Sequence, residues 1–276
     1  EAMGMHLVME EGKGGPRFPD PIRTFSQLRD LKPIEASRDL AYVMNAIKVT
    51  KEKLAGRVPL IGFSGAPWTL FCYMVEGSGS KDFRHAKEMI FSNPEDAHKL
   101  LGKIRDAVVD YLATQVLAGA DVIQIFDTWA GILAPEDFKT FSLDYIGEIV
   151  RDVQAITNRK APIIVFCKGA NHSLSDIAAT GCDVVGLDWT IDIGDVRDLL
   201  GEGVGLQGNL DPTLLYAPEY VMEQRVRDIA ERMGSPKGHI FNLGHGISPD
   251  VNPEKARAFV RAAKHAYSPI SVSDDE

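Results

Sequence analysis

The side chains with most chemistry to offer stand where short apolar runs end. His245 lies in Asn242-Leu243-Gly244-His245-Gly246, with glycine on both sides. An imidazole titrates near neutral pH, so a histidine there can give a proton to, or take one from, a carboxylate-bearing substrate. A loop or capping histidine is the plainer alternative, and the residues alone leave the two readings even. Tyr73 stands in the block Ile61-Gly62-Phe63-Ser64-Gly65-Ala66-Pro67-Trp68-Thr69-Leu70-Phe71-Cys72-Tyr73. That block opens as an apolar strand, breaks on small residues and restarts as a helix. Such βα junctions carry the chemistry of parallel α/β proteins. The Tyr73 hydroxyl can hold a substrate carboxylate, or the ring can be core. Phe63 and Phe126 either wall an apolar slot for a flat ring or belong to the core. Asp127 and Thr128 offer a carboxylate and a hydroxyl, or a supporting charge and a helix cap.

Asp188 and Asp211 offer the same alternatives as Asp127, a carboxylate for chemistry or a supporting charge, and Asn209-Leu210-Asp211-Pro212 reads most simply as a turn and helix start. Lys168 stands at a strand end and can meet an anionic substrate, with a solvated surface lysine the plainer reading. A metal centre is poorly supported: Cys167 and His172 are five apart, with no second cluster and no His-x-Cys pair. His85, His98, His239 and His265 fall on helices or just before a strand and read as surface. Cys182 reads as a buried residue at a helix-to-strand turn.

The elements that must position these groups alternate. Strands are expected at Pro59–Phe63, Val122–Phe126, Ile163–Cys167, Val184–Leu187, Val204–Gln207 and Ile240–Leu243. Helices are expected at Ser37–Leu54, from Trp68 onward, and at Pro94–Leu117, Pro135–Thr157, Leu174–Ala179, Val196–Leu200, Pro218–Met233 and Pro253–Tyr267. Ser37 is the expected cap of the first. The strands are continuous apolar runs, as in parallel sheets buried on both faces. The first 36 residues read as irregular, with a short strand at His6–Met9 and a loop from Gly12 to Pro21, and 268–276 as a polar tail. Polar or small residues follow nearly every strand. Chemistry spread over many strand ends is a barrel signature, whereas a doubly wound sheet concentrates it behind one glycine-rich loop.

The 276 residues suit one large α/β domain or two small ones, and the chain is 45% apolar and 25% charged. Three cysteines are too few for a disulfide framework. A net charge of −9, from 30 basic and 39 acidic residues, argues against nucleic acid or an anionic membrane as partner. No apolar run is long enough to span a bilayer, and the first residues do not read as a signal peptide.

These blocks resemble the uroporphyrinogen decarboxylase family. The resemblance rests on Gly12-Lys13-Gly14, Arg57-Val58-Pro59-Leu60-Ile61-Gly62-Phe63, Gly65-Ala66-Pro67-Trp68-Thr69-Leu70, Tyr73-Met74-Val75-Glu76-Gly77, Gly186-Leu187-Asp188-Trp189, Leu206-Gln207-Gly208-Asn209-Leu210-Asp211-Pro212 and Asn242-Leu243-Gly244-His245-Gly246. It implies a (β/α)8 TIM barrel, usually a homodimer, that removes the four acetate carboxyl groups of uroporphyrinogen to give coproporphyrinogen without metal or organic cofactor. It implies a cytoplasmic enzyme, or a plastid one. It also implies roles: Tyr73 and His245 as catalytic and substrate-contacting, Thr128 as a substrate-contacting hydroxyl, and Phe63 and Phe126 as an apolar wall around the tetrapyrrole.

The same resemblance implies what to miss. The family's Met-Arg-Gln-Ala-Gly-Arg motif and the Phe-Ser-Asp segment with its central aspartate do not occur in this sequence. The expectation is therefore a barrel lacking its first two βα units, six strands instead of eight, and a chain inactive by itself. A fragment of an ordinary decarboxylase is the preferred account. A corrinoid-dependent methyltransferase of the same fold, which needs a zinc site, and a non-catalytic partial-barrel relative are the rivals.

Overall fold

The computed structural model describes residues 1–9 and 16–268. The Gly12-Lys13-Gly14 block, much of the Gly12–Pro21 loop and nearly all of the polar tail lie outside them. The contacts divide the chain into two compact units, Glu1–Asp183 and Val184–Glu276.

The first unit opens with a short antiparallel pair, β1 (Val8–Met9) and β2 (Pro16–Arg17). Its sheet is parallel, in the order β3 (Ile61–Gly65), β4 (Val122–Asp127), β5 (Ile163–Cys167). All five residues of β5 are buried, as continuous apolar runs demand. Strand β3 departs from that expectation: it alternates, with Gly62 and Ser64 buried and Ile61 and Phe63 exposed. The strand also lies at the sheet's edge. Leu60 O and Ala66 N bond to β4, so even-numbered residues face that neighbour and Phe63 turns its peptide groups to the open edge. There Gln115, buried on the helix Pro94–Ala118, stands in for a strand: its Oε1 accepts from Phe63 N and its Nε2 donates to Phe63 O, both at 3.0 Å. Backbone groups left unpaired in the interior are costly, which explains a glutamine on an otherwise apolar helix face.

Two expected helices are broken. The stretch expected as Ser37–Leu54 forms Ala36–Asp39 and Ala41–Leu54, separated at Leu40. Ser37 is not the cap. Asp110 caps the first piece instead, accepting from Ala36 N at 2.6 Å across 74 residues, and no local pattern reveals such a partner. The expected Pro135–Thr157 helix is Pro135–Phe138 and Asp144–Thr157, joined by a π-helical turn, Lys139–Leu143. A short helix at Phe25–Arg29 stands in the stretch expected to be irregular, and His85 lies on a separate short helix, Arg84–Ser92.

The second unit has parallel strands β6 (Val184–Gly186), β7 (Gly205–Gln207) and β8 (His239–Ile240). The expected Ile240–Leu243 strand is thus shorter and starts earlier, followed by a lone bridge between Leu210 and Leu243. Asp192 caps Ile193–Leu200 through Gly194 N, and Asn252 caps Pro253–His265 through Glu254 N. Asp211 starts a 3-10 turn, Pro212–Tyr216, as its Asp-Pro pair predicts. Among the described residues no helix is long and apolar enough to cross a membrane.

Candidate active site

In the first unit the strand ends converge on aromatic rings. Phe63 and Phe126 meet edge to face with centroids 5.9 Å apart. Phe126 meets Phe166 of β5 in the same way, at 6.1 Å. Register explains the row, because Gly65 pairs with Phe126 and Phe126 with Phe166. Phe63 is 60% exposed, so the row offers an apolar surface to which a flat ring can stack. Phe166 escaped sequence reasoning, since nothing distinguished it from a core phenylalanine before the register was known.

Tyr73 lies on the helix Pro67–Glu76, which follows β3. Proline at its first position suits a turn whose N–H is free anyway, and Gly77 ends it in left-handed conformation. The Tyr73 ring is half-buried against Trp129 at 6.2 Å and Phe83 at 6.1 Å. It lines a cavity of about 410 Å³, with Ser64, Leu70, Met74, Val108 and Tyr111. Among the described residues no hydrogen bond satisfies the Tyr73 hydroxyl. Thr128, half-buried, follows Asp127 at the end of β4 and precedes Trp129. The ring contacts therefore tie Phe63 to Phe126, and tie Tyr73 to the residue next to Thr128.

Asp127 is fully buried. Its carboxylate accepts from Thr69 Oγ1 at 2.6 Å and Ser142 Oγ at 2.5 Å. Burial raises its pKa to about 6, against the opposing pull of those hydroxyls. The neighbouring thiols of Cys72 and Cys167 are pushed well up, chiefly by burial, and so stay protonated rather than nucleophilic. None of the three cysteines forms a disulfide, and all three are buried.

In the second unit, His245 is half-buried and meets Trp189 edge to face at 6.4 Å. The glycine before it is required there. A Cβ on Gly244 would lie 2.4 Å from Trp189 N, so the backbone of the His245 loop can approach the loop after β6 only without a side chain. That loop is itself fixed. Asn209 Nδ2 donates to Asp188 O at 2.8 Å and Ile191 O at 2.7 Å, and Thr190 Oγ1 donates to Asp188 at 2.5 Å. A polar cavity of about 290 Å³ beside it sets Asp192, Asp211 and Asp228 against Arg225 and Arg232. Acid outnumbers base, which does not suit an anion.

His239 is the clear departure. It was expected to be surface, yet it sits on β8 with its ring 4.3 Å from that of Phe241, and burial lowers its pKa below the ordinary 6.5. Its Nε2 lies 3.1 Å from Gly208 O and its Nδ1 2.7 Å from Tyr267 Oη. A carbonyl only accepts, so Nε2 carries the proton and the Tyr267 hydroxyl donates to Nδ1. No group of three or more His, Cys, Asp or Glu among the described residues is placed to hold a metal ion.

Parallel strands, each followed by a helix, with hydroxyl, imidazole and aromatic groups at their ends define an α/β protein of the kind whose strand ends do the chemistry. The comparisons make that specific. The family model described as "Uroporphyrinogen decarboxylase (URO-D)" matches residues 1–266. Curated relatives called uroporphyrinogen decarboxylase include one from Alcanivorax borkumensis, 50% identical over 95% of this chain and 74% of its own length. Another, from Proteus mirabilis, is 47% identical over 100% of this chain and 77% of its own. The chain belongs to the uroporphyrinogen decarboxylase family. A methyltransferase structure from Methanosarcina mazei superposes with a TM-score of 0.77 at 22% identity, over 97% of this chain and 77% of that one. At that identity the likeness shows the fold alone.

Proposed function

We propose that this polypeptide serves the cofactor-free decarboxylation of uroporphyrinogen III to coproporphyrinogen III, in a TIM barrel of the family's type. The observation that carries the reading is the family match over residues 1–266 joined to an aromatic row that runs from exposed Phe63 through Phe126 to buried Phe166, with a Tyr73 hydroxyl in the same unit that has no hydrogen-bond partner among the described residues. A pyrrole acetate loses CO₂ when the electron pair of the breaking C–C bond has a place to go. Protonating the pyrrole supplies it: the pair moves into the ring, CO₂ leaves, the exocyclic carbon takes a proton and the ring returns its own. In this scheme the phenylalanines seat the macrocycle and exclude water. Tyr73 and Thr128 donate hydroxyl hydrogen bonds to substrate carboxylates. His245 contacts a side-chain carboxylate and can exchange a proton with it.

The cationic ring also needs a facing carboxylate, and eight substrate carboxylates need cations. The family meets both with its central aspartate and Arg-rich blocks, which this sequence does not contain, and the chain's charge of −9 opposes such a substrate. The expected result is that the 276-residue chain gives no coproporphyrinogen from uroporphyrinogen under anaerobic assay, whereas a fusion behind a segment supplying both blocks does. A folded fusion that neither binds nor decarboxylates uroporphyrinogen would sink the reading. Turnover by the chain alone would refute the roles given to the two blocks. Following the resemblance, we take the working form to be a cytoplasmic homodimer, and a single-chain mass for the active fusion in solution would contradict the dimer.

A further inference from the structure

We propose that Asp127 is a positioning residue: through Thr69 and Ser142 its buried carboxylate locks the strand end that carries Thr128 and Trp129 to the helix that carries Tyr73. The geometry dictates the direction of each bond. A carboxylate only accepts, so Thr69 donates its single O–H to Asp127 at 2.6 Å. Its oxygen is left to accept, and Trp129 N donates to it at 3.3 Å. One residue earlier, Trp68 Nε1 donates to Trp129 O at 3.1 Å. Both peptide groups of Trp129 are therefore held by the first turn of the helix Pro67–Glu76. Tyr73 is four residues beyond Thr69, on the same helical face, and its ring packs on that of Trp129.

Ser142 adds a third element. It lies on the π-helical turn Lys139–Leu143, fully buried, and donates to the second carboxylate oxygen. An extra residue in a helix is a cost that regular winding would avoid, and such turns concentrate at functional sites. Here the turn delivers one hydroxyl to one carboxylate. Protonating Asp127 rearranges the lock rather than opening it, because the carboxyl O–H then donates to one of the two hydroxyls, which turns to accept. Burial puts that change near pH 6. The other titratable groups that feel its charge are the thiols of Cys72 and Cys167. The significance for catalysis rests on the reading of Tyr73 and Thr128 as substrate contacts; the lock itself does not.

Two measurements separate the parts. In the 276-residue chain, amide exchange at Trp129 is expected to quicken at least ten-fold in Thr69→Val and to recover in Thr69→Ser. The Trp129 amide resonance is expected to titrate near pH 6 and to stop doing so in Asp127→Asn. Unchanged protection in Thr69→Val, or an unchanged titration in Asp127→Asn, would overturn the lock; should Thr69→Val fail to fold, the titration still decides. In the active fusion, Thr69→Val is expected to lower kcat at least ten-fold, with KM changed less, and Thr69→Ser to restore it. Protection lost with kcat intact would refute the link to Tyr73 and Thr128. A wild-type fusion without turnover would instead count against the decarboxylase reading, and the exchange data would still judge the lock.

Discussion

Tyr73 shows how a single residue changes meaning once its surroundings are known. In the sequence it was a tyrosine on a helix, core or ligand alike. In the structure its hydroxyl has no hydrogen-bond partner among the described residues, while its ring is packed by Phe83 and Trp129. Folding accounts for the ring, not for the oxygen. Replacing Tyr73 by Phe should therefore leave thermal stability unchanged and weaken uroporphyrinogen binding by the active fusion. A lost hydrogen bond to a charged group is worth about 1.5–3 kcal/mol, so affinity should fall about 10- to 100-fold. Calorimetry of the variant and a binding titration check the two halves, and a large drop in melting temperature would return Tyr73 to the core. His245 and Thr128 were legible as candidates because they follow apolar runs. Phe166 was not, because only strand register brings it beside Phe126.

At the level of elements, the strands were legible and their supports were not. Ile163–Cys167 was readable to the residue because five buried apolar side chains leave one interpretation. Strand β3 misled, since its apolar run hides an edge whose free peptide groups are satisfied by Gln115, 52 residues away. Replacing Gln115 by Leu strips partners from Phe63 N and O. The expected cost is about 1–3 kcal/mol in denaturant unfolding, and a variant as stable as the parent would show that the glutamine is dispensable to β3. The His245 loop makes a similar case. A methyl group on Gly244 would stand 2.4 Å from Trp189 N, against backbone rather than a yielding side chain. Gly244→Ala should destabilise the second unit by about 1–3 kcal/mol through forced backbone shifts. It should also separate the Trp189 and His245 rings, which the tryptophan fluorescence and the His245 ring resonances would report.

On the scale of the whole molecule, the two compact units carry buried titratable groups of opposite sign. Asp127 in the first has its pKa raised from 3.8 to about 6, so the native state holds the proton more tightly than the unfolded chain does. Its contribution to stability is complete below about pH 4 and is lost as pH rises through 6. At 1.36 kcal/mol per unit, that loss is about 3 kcal/mol. His239 in the second has its pKa lowered from 6.5 by burial, so the unfolded chain takes up the proton first. Its contribution is present above 6.5 and is lost as pH falls through the lower native value. Acidification from pH 7 to 5 should therefore tighten β4 and loosen β8 together with the helix Pro253–His265, whose C-terminal side reaches His239 through Tyr267. Residue-resolved hydrogen exchange at the two pH values measures this directly, once rates are corrected for the intrinsic pH dependence. Asp127→Asn should abolish the gain in the first unit and leave the second unchanged. Tyr267→Phe removes the donor to Nδ1, leaves the imidazole less well satisfied in its neutral form, and should soften β8 already at pH 7. Protection that moves in the same direction in both units would mean that these two side chains do not govern the acid response.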